Sequence, residues 1–291
     1  MVKDFFKGLA IALLVAVLSY FFLIILSESF AGDLQVNPVL LNLGPIELRW
    51  YGFLIAAAIL ISYFWIIKIA DRQKFDKEKL ENFIFILILG GVIGARLGYV
   101  LQDARYYLHS PVEALAIWHG GLSIQGAMFG GLAFGFLGAK IIKIDFFKSL
   151  SLISPFIMLS GAIGRFGNFF NQEIVGKPAS GWLKMYVWPL KRPVGFENID
   201  FFYPAFLFES VLLMLAFLLY YFFFAKKYGN YFGLSYTLII YSVIRIGVEF
   251  FRIDYKPIFI GLDLAQIVSV LLIILGVVLL PLELTKYRQR V

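Results

Sequence analysis

The residues best suited to chemistry lie close together in one short stretch, residues 164–176. This stretch contains Arg165, Asn168, Asn171 and Glu173, together with three glycines. Each of these polar groups costs several kcal/mol inside an apolar segment if it finds neither a partner nor water. Packing alone does not require such a concentration of polar side chains. We therefore expect the stretch to bind an anion.

The composition places this stretch in a membrane protein. Of 291 residues, 61% are hydrophobic and 15% are charged, against about a quarter charged in soluble proteins. The net charge of +7 comes from short loops between apolar runs, which indicates anionic phospholipid headgroups and not nucleic acid. The chain has no cysteine, so a reactive thiol would have to belong to the substrate. Two histidines are too few for a multi-histidine metal site, and we expect no cofactor.

Apolar runs of membrane-spanning length predict an all-α, polytopic integral membrane helix bundle. We expect eight spans, at residues 5–26, 52–70, 83–101, 120–142, 149–164, 204–224, 231–251 and 262–282. Lysine and arginine predominate in alternate connections, which predicts both termini in the cytoplasm and an irregular segment 165–203 outside. The first span resembles a signal peptide but has a longer apolar core than the usual about 7 to 15 residues, which favours a retained anchor.

Charged residues also occur within or at the ends of the predicted spans. They include Arg96, Glu209, Arg245 and Glu249. Charges at such depth are usually buried in the bundle, paired, or directed at a wet cavity. Arg245 and Glu249 are four residues apart and could form a structural ion pair on one helical face. Alternatively, Arg245 and Arg165 could together hold a phosphate diester.

The pattern from Gly164 to Gly176 resembles the signature of the bacterial prolipoprotein diacylglyceryl transferases position for position. Further matches follow in the family's order: Trp50-Tyr51-Gly52, residues 94–99, residues 120–123, and Tyr241 with Arg245, Glu249 and Arg252. The resemblance covers about residues 38–282. It implies that residues 1–37 are an extra N-terminal transmembrane anchor and outer linker, and that residues 38–291 form the transferase-like membrane domain.

The resemblance also implies a reaction. The enzyme would transfer diacylglyceryl from phosphatidylglycerol to the lipobox cysteine of a lipoprotein precursor, forming a thioether and releasing glycerol phosphate. It would lie in the bacterial cytoplasmic (inner) membrane with its site facing outward. Negative charge grows on the phosphate as the carbon–oxygen bond breaks, so fixed guanidinium groups there would stabilise the transition state.

Roles for individual residues follow from the same resemblance. Arg165 and Arg245 would clamp the phosphate, Glu173 and Glu249 would position these arginines, and Tyr51 and Tyr241 would complete the pocket. The expected catalytic residues are Arg165, Arg245, Asn168, Glu173, Tyr51, Tyr241 and Glu249. The expected substrate-binding residues are Arg165, Asn171, Gly176, Arg96, Tyr99, Gln125 and Glu209.

One departure from the family concerns the thiol. Gln125 stands where many members have a histidine that assists thiol deprotonation. A free thiol has a pKa near 8.5, so a base helps without being indispensable. His119 could be a replacement base or an interfacial histidine without a chemical role.

Two other functions stay open, the first of them because of Gln125 and of Phe206, which replaces a polar residue of the family. One is a divergent relative that binds phosphatidylglycerol without catalysis. The other is a transporter of anions or lipids built around Arg165, Arg245 and Glu249. Transport predicts broken spans at related positions in two halves of the chain, and the sequence shows none.

Overall fold

The structure is a computed structural model that describes residues 20, 23–44, 47–73, 75–117, 120–229, 231–254 and 256–288. Helices dominate the described residues. They are α1 (residues 23–31), α2 (Trp50–Arg72), α3 (Lys77–Gln102), α4 (Ala104–His109), α5 (Ile124–Ile142), α6 (Phe146–Ile153), α7 (Pro155–Asn171), α8 (Ala205–Leu219), α9 (Ala225–Tyr228), α10 (Gly233–Glu249) and α11 (Leu264–Arg288).

Two short antiparallel hairpins accompany the helices. Strands β1 (Val39–Asn42) and β2 (Glu47–Arg49) pair before α2, and β3 (Met185–Tyr186) pairs with β4 (Phe201–Phe202) between α7 and α8. Single turns of 3₁₀-helix occur at Glu113–Leu115 and Pro189–Lys191, and a π-helical turn at Tyr220–Phe224 follows α8. The strands are too few and short to form a core, so the described fold is all-α.

Several helices begin at side chains that suit a helix N-terminus. The Asp76 carboxylate accepts a hydrogen bond from Lys79 N before α3, and the Asp145 carboxylate accepts one from Lys148 N before α6. Ser123 Oγ accepts from Gly126 N before α5. Each of these contacts satisfies a backbone N–H that has no partner within its helix.

Six helical stretches among the described residues are long and apolar enough to cross a membrane. They are Trp50–Asp71, Lys77–Gln102, Ile124–Ile142, Phe146–Asn171, Ala205–Lys227 and Leu264–Thr285. These stretches confirm the predicted polytopic helix bundle. Most of the predicted first span lies outside the described residues, and the predicted seventh span corresponds to the 17-residue helix α10.

The chain folds into two compact units. The first contains the described residues of Met1–Ala58, Met158–Leu219 and Thr237–Val278, and the second those of Ile59–Ile157, Tyr220–Tyr236 and Leu279–Val291. The core of the first unit includes fully or almost fully buried side chains around the end of α7 and the second hairpin. These are Phe169, Val175, Met185, Val187, Phe202 and Phe206.

The second unit depends on a close contact between α3 and α5. A Cβ atom on Gly94 would lie 2.3 Å from Gly126 O, and one on Gly130 would lie 2.4 Å from Gly90 O. These distances leave no room for side chains, so the glycines allow the two backbones to pack directly, as in other membrane helix pairs.

A buried carboxylate in the second unit holds the start of α10. Glu283 Oε2 accepts a hydrogen bond from Ser235 N at 3.2 Å, and Ser151 Oγ donates to the other carboxylate oxygen. A carboxylate at a helix N-terminus is stabilised by the N–H groups directed at it.

Candidate functional site

The polar motif begins on a helix and not in a loop. Helix α7 continues to Asn171, so Arg165, Asn168 and Asn171 lie on its last two turns at three-residue spacing. Residues spaced in this way occupy neighbouring positions on a helix surface. The prediction that the irregular segment begins at residue 165 is therefore wrong, because regular helix persists for almost two further turns.

Two glycines within the motif allow α2 to approach this part of α7 closely. A Cβ atom on Gly167 would lie 2.2 Å from the Tyr51 ring, and one on Gly164 would lie 2.9 Å from Ile55 Cδ1. The start of α2 thus packs against a part of α7 that lacks side chains. These glycines permit helix packing without ending the helix, as is common in membrane helices.

The chain turns sharply directly after α7. Gln172 and Ile174 have φ values of 50° and 55°, in the left-handed region that costs a residue with a side chain about 1–3 kcal/mol. The buried amide of Gln172 compensates, because it donates to Tyr186 O at 3.3 Å and accepts from Trp188 N at 2.9 Å. The turn is consequently held against β3, and sequence reasoning did not identify Gln172.

Gly176 closes this turn by backbone pairing. Its N–H donates to Tyr203 O at 2.7 Å, and a Cβ atom there would lie 2.9 Å from Phe251 O. The structure thus gives Gly176 a packing role between two neighbouring chain segments. Its predicted contact with substrate stays a prediction.

Glu209 joins the two expected clamp arginines. Its carboxylate is 1% exposed and lies 2.5 Å from Arg165 Nη2 through one oxygen and 3.7 Å from Arg245 Nη1 through the other. Helices α7, α8 and α10 therefore each supply one member of a single charge cluster. The bridging position explains how a carboxylate is tolerated inside a predicted span.

Arg245 has a second partner at the expected spacing. Its Nη2 lies 2.5 Å from Glu249 Oε2, one helical turn further along α10. The ion pair predicted from the four-residue spacing is therefore present. It coexists with the contact between Arg245 and Glu209, so the pairing and anion-clamp interpretations do not exclude each other.

Glu173 contacts the two asparagines of the motif. Its Oε1 accepts from Asn168 Nδ2 at 2.8 Å and from Asn171 Nδ2 at 3.2 Å. Asn168 Oδ1 in turn accepts from Arg165 Nη1 at 3.4 Å. Among the described residues, the ion pairs of Arg165 and Arg245 involve Glu209 and Glu249. Glu173 therefore reaches Arg165 through Asn168, and its expected role in positioning the arginines stays a prediction.

A third arginine extends the cluster beyond the end of α10. Arg252 Nε lies 3.5 Å from Glu249 Oε1, and its guanidinium donates to both carboxylate oxygens of Asp254 at 2.8 and 2.5 Å. These hydrogen bonds hold the pKa of Asp254 below its ordinary value. The roles of Arg252 and Asp254 were not predicted, although Glu249 lies four residues after Arg245 and three before Arg252.

The two predicted pocket tyrosines also belong to the first unit. Tyr241 lies beside the Arg165, Glu209 and Arg245 side chains. Tyr51 packs its ring over Gly167 and keeps more than a third of its surface exposed. The structure thereby brings Tyr51 and Tyr241 to the same arginine-bearing part of α7.

Arg96 is held by backbone carbonyls in the second unit. Its guanidinium donates to Ala114 O at 2.9 Å, to Gly120 O at 2.6 Å, to Gly121 O at 3.0 Å and to Glu113 O. The side chain is buried, with the rings of Tyr99 and Tyr107 5.7 and 5.5 Å from its central carbon. Most of its donors are thus engaged within the protein, which favours a positioning role, and its contact with substrate stays a prediction.

Two of the remaining predicted residues, Tyr99 and Gln125, lie beside the turn at Gly120 and Gly121, whose carbonyls accept from Arg96. Gly121 has a φ of 79°, and a Cβ atom on it would lie 2.3 Å from the Tyr99 ring, so Tyr99 packs on the turn. Gln125, in the first turn of α5, accepts a hydrogen bond from Ser123 Oγ at 3.2 Å. His119 lies outside the described residues.

Metal chemistry has no evident site in the described part of the chain. Within it, no group of three or more His, Cys, Asp or Glu side chains could hold a metal ion. The cluster around Glu209 offers guanidinium, carboxamide and carboxylate groups. Such an arrangement can bind a phosphate oxyanion when the oxyanion displaces a carboxylate from one of the guanidinium groups.

A sequence model of the prolipoprotein diacylglyceryl transferase family matches residues 38–282. The chain belongs to this family. Among proteins named phosphatidylglycerol–prolipoprotein diacylglyceryl transferase, that of Thermotoga petrophila is 39% identical over 262 residues, covering 88% of each chain. That of Thermotoga maritima is 39% identical over 279 residues, covering 93% of this chain and 94% of the relative. A cyanobacterial relative, from Parasynechococcus marenigrum, is 37% identical over 255 residues, covering 82% of this chain and 91% of its own.

Membership of this transferase family makes the protein a membrane-embedded transferase, in agreement with its apolar helices. The Thermotoga maritima alignment covers a larger share of the chain than residues 38–282 provide. Too few residues follow residue 282 to account for the difference. The similarity therefore includes part of the N-terminal segment that the family model does not match.

Proposed function

We propose that this family member transfers the diacylglyceryl group of phosphatidylglycerol to the cysteine of a prolipoprotein. The observation that carries the proposal is the partly buried pair of Arg165 and Arg245, bridged by the buried Glu209 in a chain of a family of that activity. Two fork-shaped guanidinium groups on neighbouring helices match the oxygens of a phosphodiester. The names of the relatives contain the same two substrates.

In the reaction, the cysteine sulfur attacks the glyceryl carbon that bears the phosphate. A carbon–sulfur bond forms, the carbon–oxygen bond breaks, and glycerol phosphate leaves with the electron pair while the thiol proton passes to solvent or a base. Charge on the leaving phosphate increases during this step. Arg165 and Arg245 would stabilise that charge, and Glu249 would hold the second arginine in place.

The asparagines serve this clamp indirectly. Asn168 accepts from Arg165 and donates to Glu173, so it couples the arginine to the turn that follows α7. Asn171 donates to the same carboxylate. When the headgroup binds, these carboxamides would orient its hydroxyl groups or remaining phosphate oxygens, since both can donate and accept hydrogen bonds.

We further propose that both termini are cytoplasmic and that the cluster faces outward. The excess of lysine and arginine in the segments beside the predicted inner ends of the spans supports this orientation. The substrate thiol would ionise with little help from the protein, because Gln125 occupies the position of the family's histidine. The fraction of thiolate would then follow the thiol's own pKa of about 8.5.

The direct test uses the full chain in vesicles with labelled phosphatidylglycerol and a lipobox peptide. We expect a thioether-linked diacylglyceryl peptide and equimolar glycerol phosphate, and none with a peptide carrying serine in place of cysteine. Binding of phosphatidylglycerol without transfer to any lipobox peptide would contradict the proposal. If Gln125→His then restored transfer, the non-catalytic relative would be the correct interpretation.

A further inference from the structure

The N-terminal segment, residues 26–36, is packed into the core of the first unit. Leu26, Phe30 and Val36 lie against the buried cluster at the end of α7 and the second hairpin. The ring centroids of Phe30 and Phe169 are 6.2 Å apart, and Ser29 is completely buried. By contrast, Leu23 on the same helix is 61% exposed. One side of α1 therefore belongs to a protein core.

The turn after α1 is fitted to the second hairpin. Gly32 has a φ of 93°, and both Gly32 N and Asp33 N donate to Glu28 O, which ends the helix in the manner of a C-terminal cap. A Cβ atom on Gly32 would lie 2.9 Å from the Tyr186 ring. Tyr186 O is also the acceptor for the Gln172 side chain. The turn thus touches the strand that secures the chain reversal after α7.

A short series of contacts links this segment to the charge cluster. Phe169 has no exposed surface and lies between Asn168 and Phe170 in the sequence. Phe170 stacks on Trp50 with ring centroids 4.5 Å apart. The last turn of α7 is therefore held from two sides by aromatic contacts. Removing Phe30 would free one side of the turn that places the Asn168 carboxamide.

We propose that the N-terminal segment is part of the transferase domain and that Phe30 is a positioning residue, acting through Phe169 on Asn168. The inference rests on the proposed function. It revises the boundary at residue 37, where the lack of intramembrane charge had favoured a separate anchor. The extended similarity to the Thermotoga maritima protein agrees with the revision.

The test compares Phe30→Ala with Leu23→Ala, a matched change on the exposed side of α1. Both full-length variants are reconstituted in phosphatidylglycerol vesicles. The maximal rate is divided by the number of molecules that bind the labelled lipid, which gives a kcat for each binding-competent molecule. We expect Phe30→Ala to lower this kcat between about 10- and 100-fold with KM within about threefold, because small misplacements of positioning groups have such effects. Leu23→Ala should leave this kcat unchanged, and Phe30→Leu should retain most of the kcat of the unmodified protein.

A merely structural Phe30 would give a different result. The fraction of molecules that bind lipid would fall, while kcat for each binding molecule would stay unchanged, and this outcome would overturn the inference. If Phe30→Ala does not accumulate, Phe30→Val replaces it in the same measurement, with a several-fold loss expected and no loss contradicting the inference. Failure of the unmodified protein to form thioether would instead refute the proposed function.

Discussion

Replacing Glu209 by glutamine is expected to lower the KM for phosphatidylglycerol. In the structure, Glu209 Oε1 forms an ion pair with Arg165 Nη2 at 2.5 Å. The other carboxylate oxygen faces Arg245. An incoming phosphodiester must therefore compete with an internal anion for the same donors. Glutamine keeps the size of the side chain but removes the charge. The substrate would then become the counter-ion of Arg165.

The size of the effect follows from the contact that is lost. A hydrogen bond to a charged group contributes about 1.5–3 kcal/mol net. If the substrate no longer has to displace this bond, KM falls by up to about 10- to 150-fold, at about 1.4 kcal/mol for each factor of ten. Stronger binding of the ground state does not raise kcat. Glycerol phosphate would also be held more tightly, so its inhibition constant should fall with KM.

The assay measures initial rates against phosphatidylglycerol content in mixed vesicles, with and without glycerol phosphate. Glu283→Gln is the matched control, because Glu283 is a buried carboxylate in the second unit whose hydrogen bonds come from Ser151 and Ser235. Its KM should not change. Glu209→Asp keeps the charge and should leave KM near the unmodified value.

The loss of a buried charge partner can also destabilise the protein, typically by about 3–5 kcal/mol. Rates are therefore normalised to the binding-competent fraction, as for Phe30. An unchanged or higher KM in folded Glu209→Gln protein would refute the competition argument. A lower kcat at unchanged KM would show instead that Glu209 only orients Arg165 for the transition state.

Three further outcomes are expected. Arg165→Lys should lower the transfer rate at least tenfold, because lysine keeps the charge but loses the planar fork, and full activity would remove Arg165 from the clamp. The rate should rise with pH toward the thiol pKa of about 8.5, and Gln125→His should make the profile flatter if it supplies a base. Because the folded-state pKa of Asp254 is lowered by Arg252, its stabilisation is present above about pH 4 and lost as pH falls further. Asp254→Asn should remove this part of the acid sensitivity in thermal unfolding curves, and an unchanged acid dependence would contradict it.

The sequence predicts the helices better than their ends. Apolar runs of membrane-spanning length identify the spans because lipid leaves the backbone few alternatives to a helix. The polar motif after Gly164 looked like the start of a loop, yet α7 runs on to Asn171. In this part of α7, Tyr51 packs on Gly167. That contact joins residues far apart in the sequence, so the residue spacing within the motif does not predict it.

Partners of buried charges could be predicted only when they were close in the sequence. The pair of Arg245 and Glu249 follows from four-residue spacing on one helix. Arg165 and Glu209 lie on different helices, with a hairpin and an irregular turn between them. Their contact depends on how α7 and α8 pack, which local pattern does not encode.

The family resemblance predicted residues that the structure brings close together, but it did not predict which of them contact each other. Glu173 was expected to position the arginines, and its hydrogen bonds come from Asn168 and Asn171. Glu209 was expected to touch substrate and bridges Arg165 and Arg245. A motif shows which residue types occur together in the sequence. Binding of an anion depends on which hydrogen-bond donors are not already engaged by other side chains. Because Glu209 pairs with Arg165 and faces Arg245, we expect a residue outside the signature to govern access of the phosphodiester to Arg165.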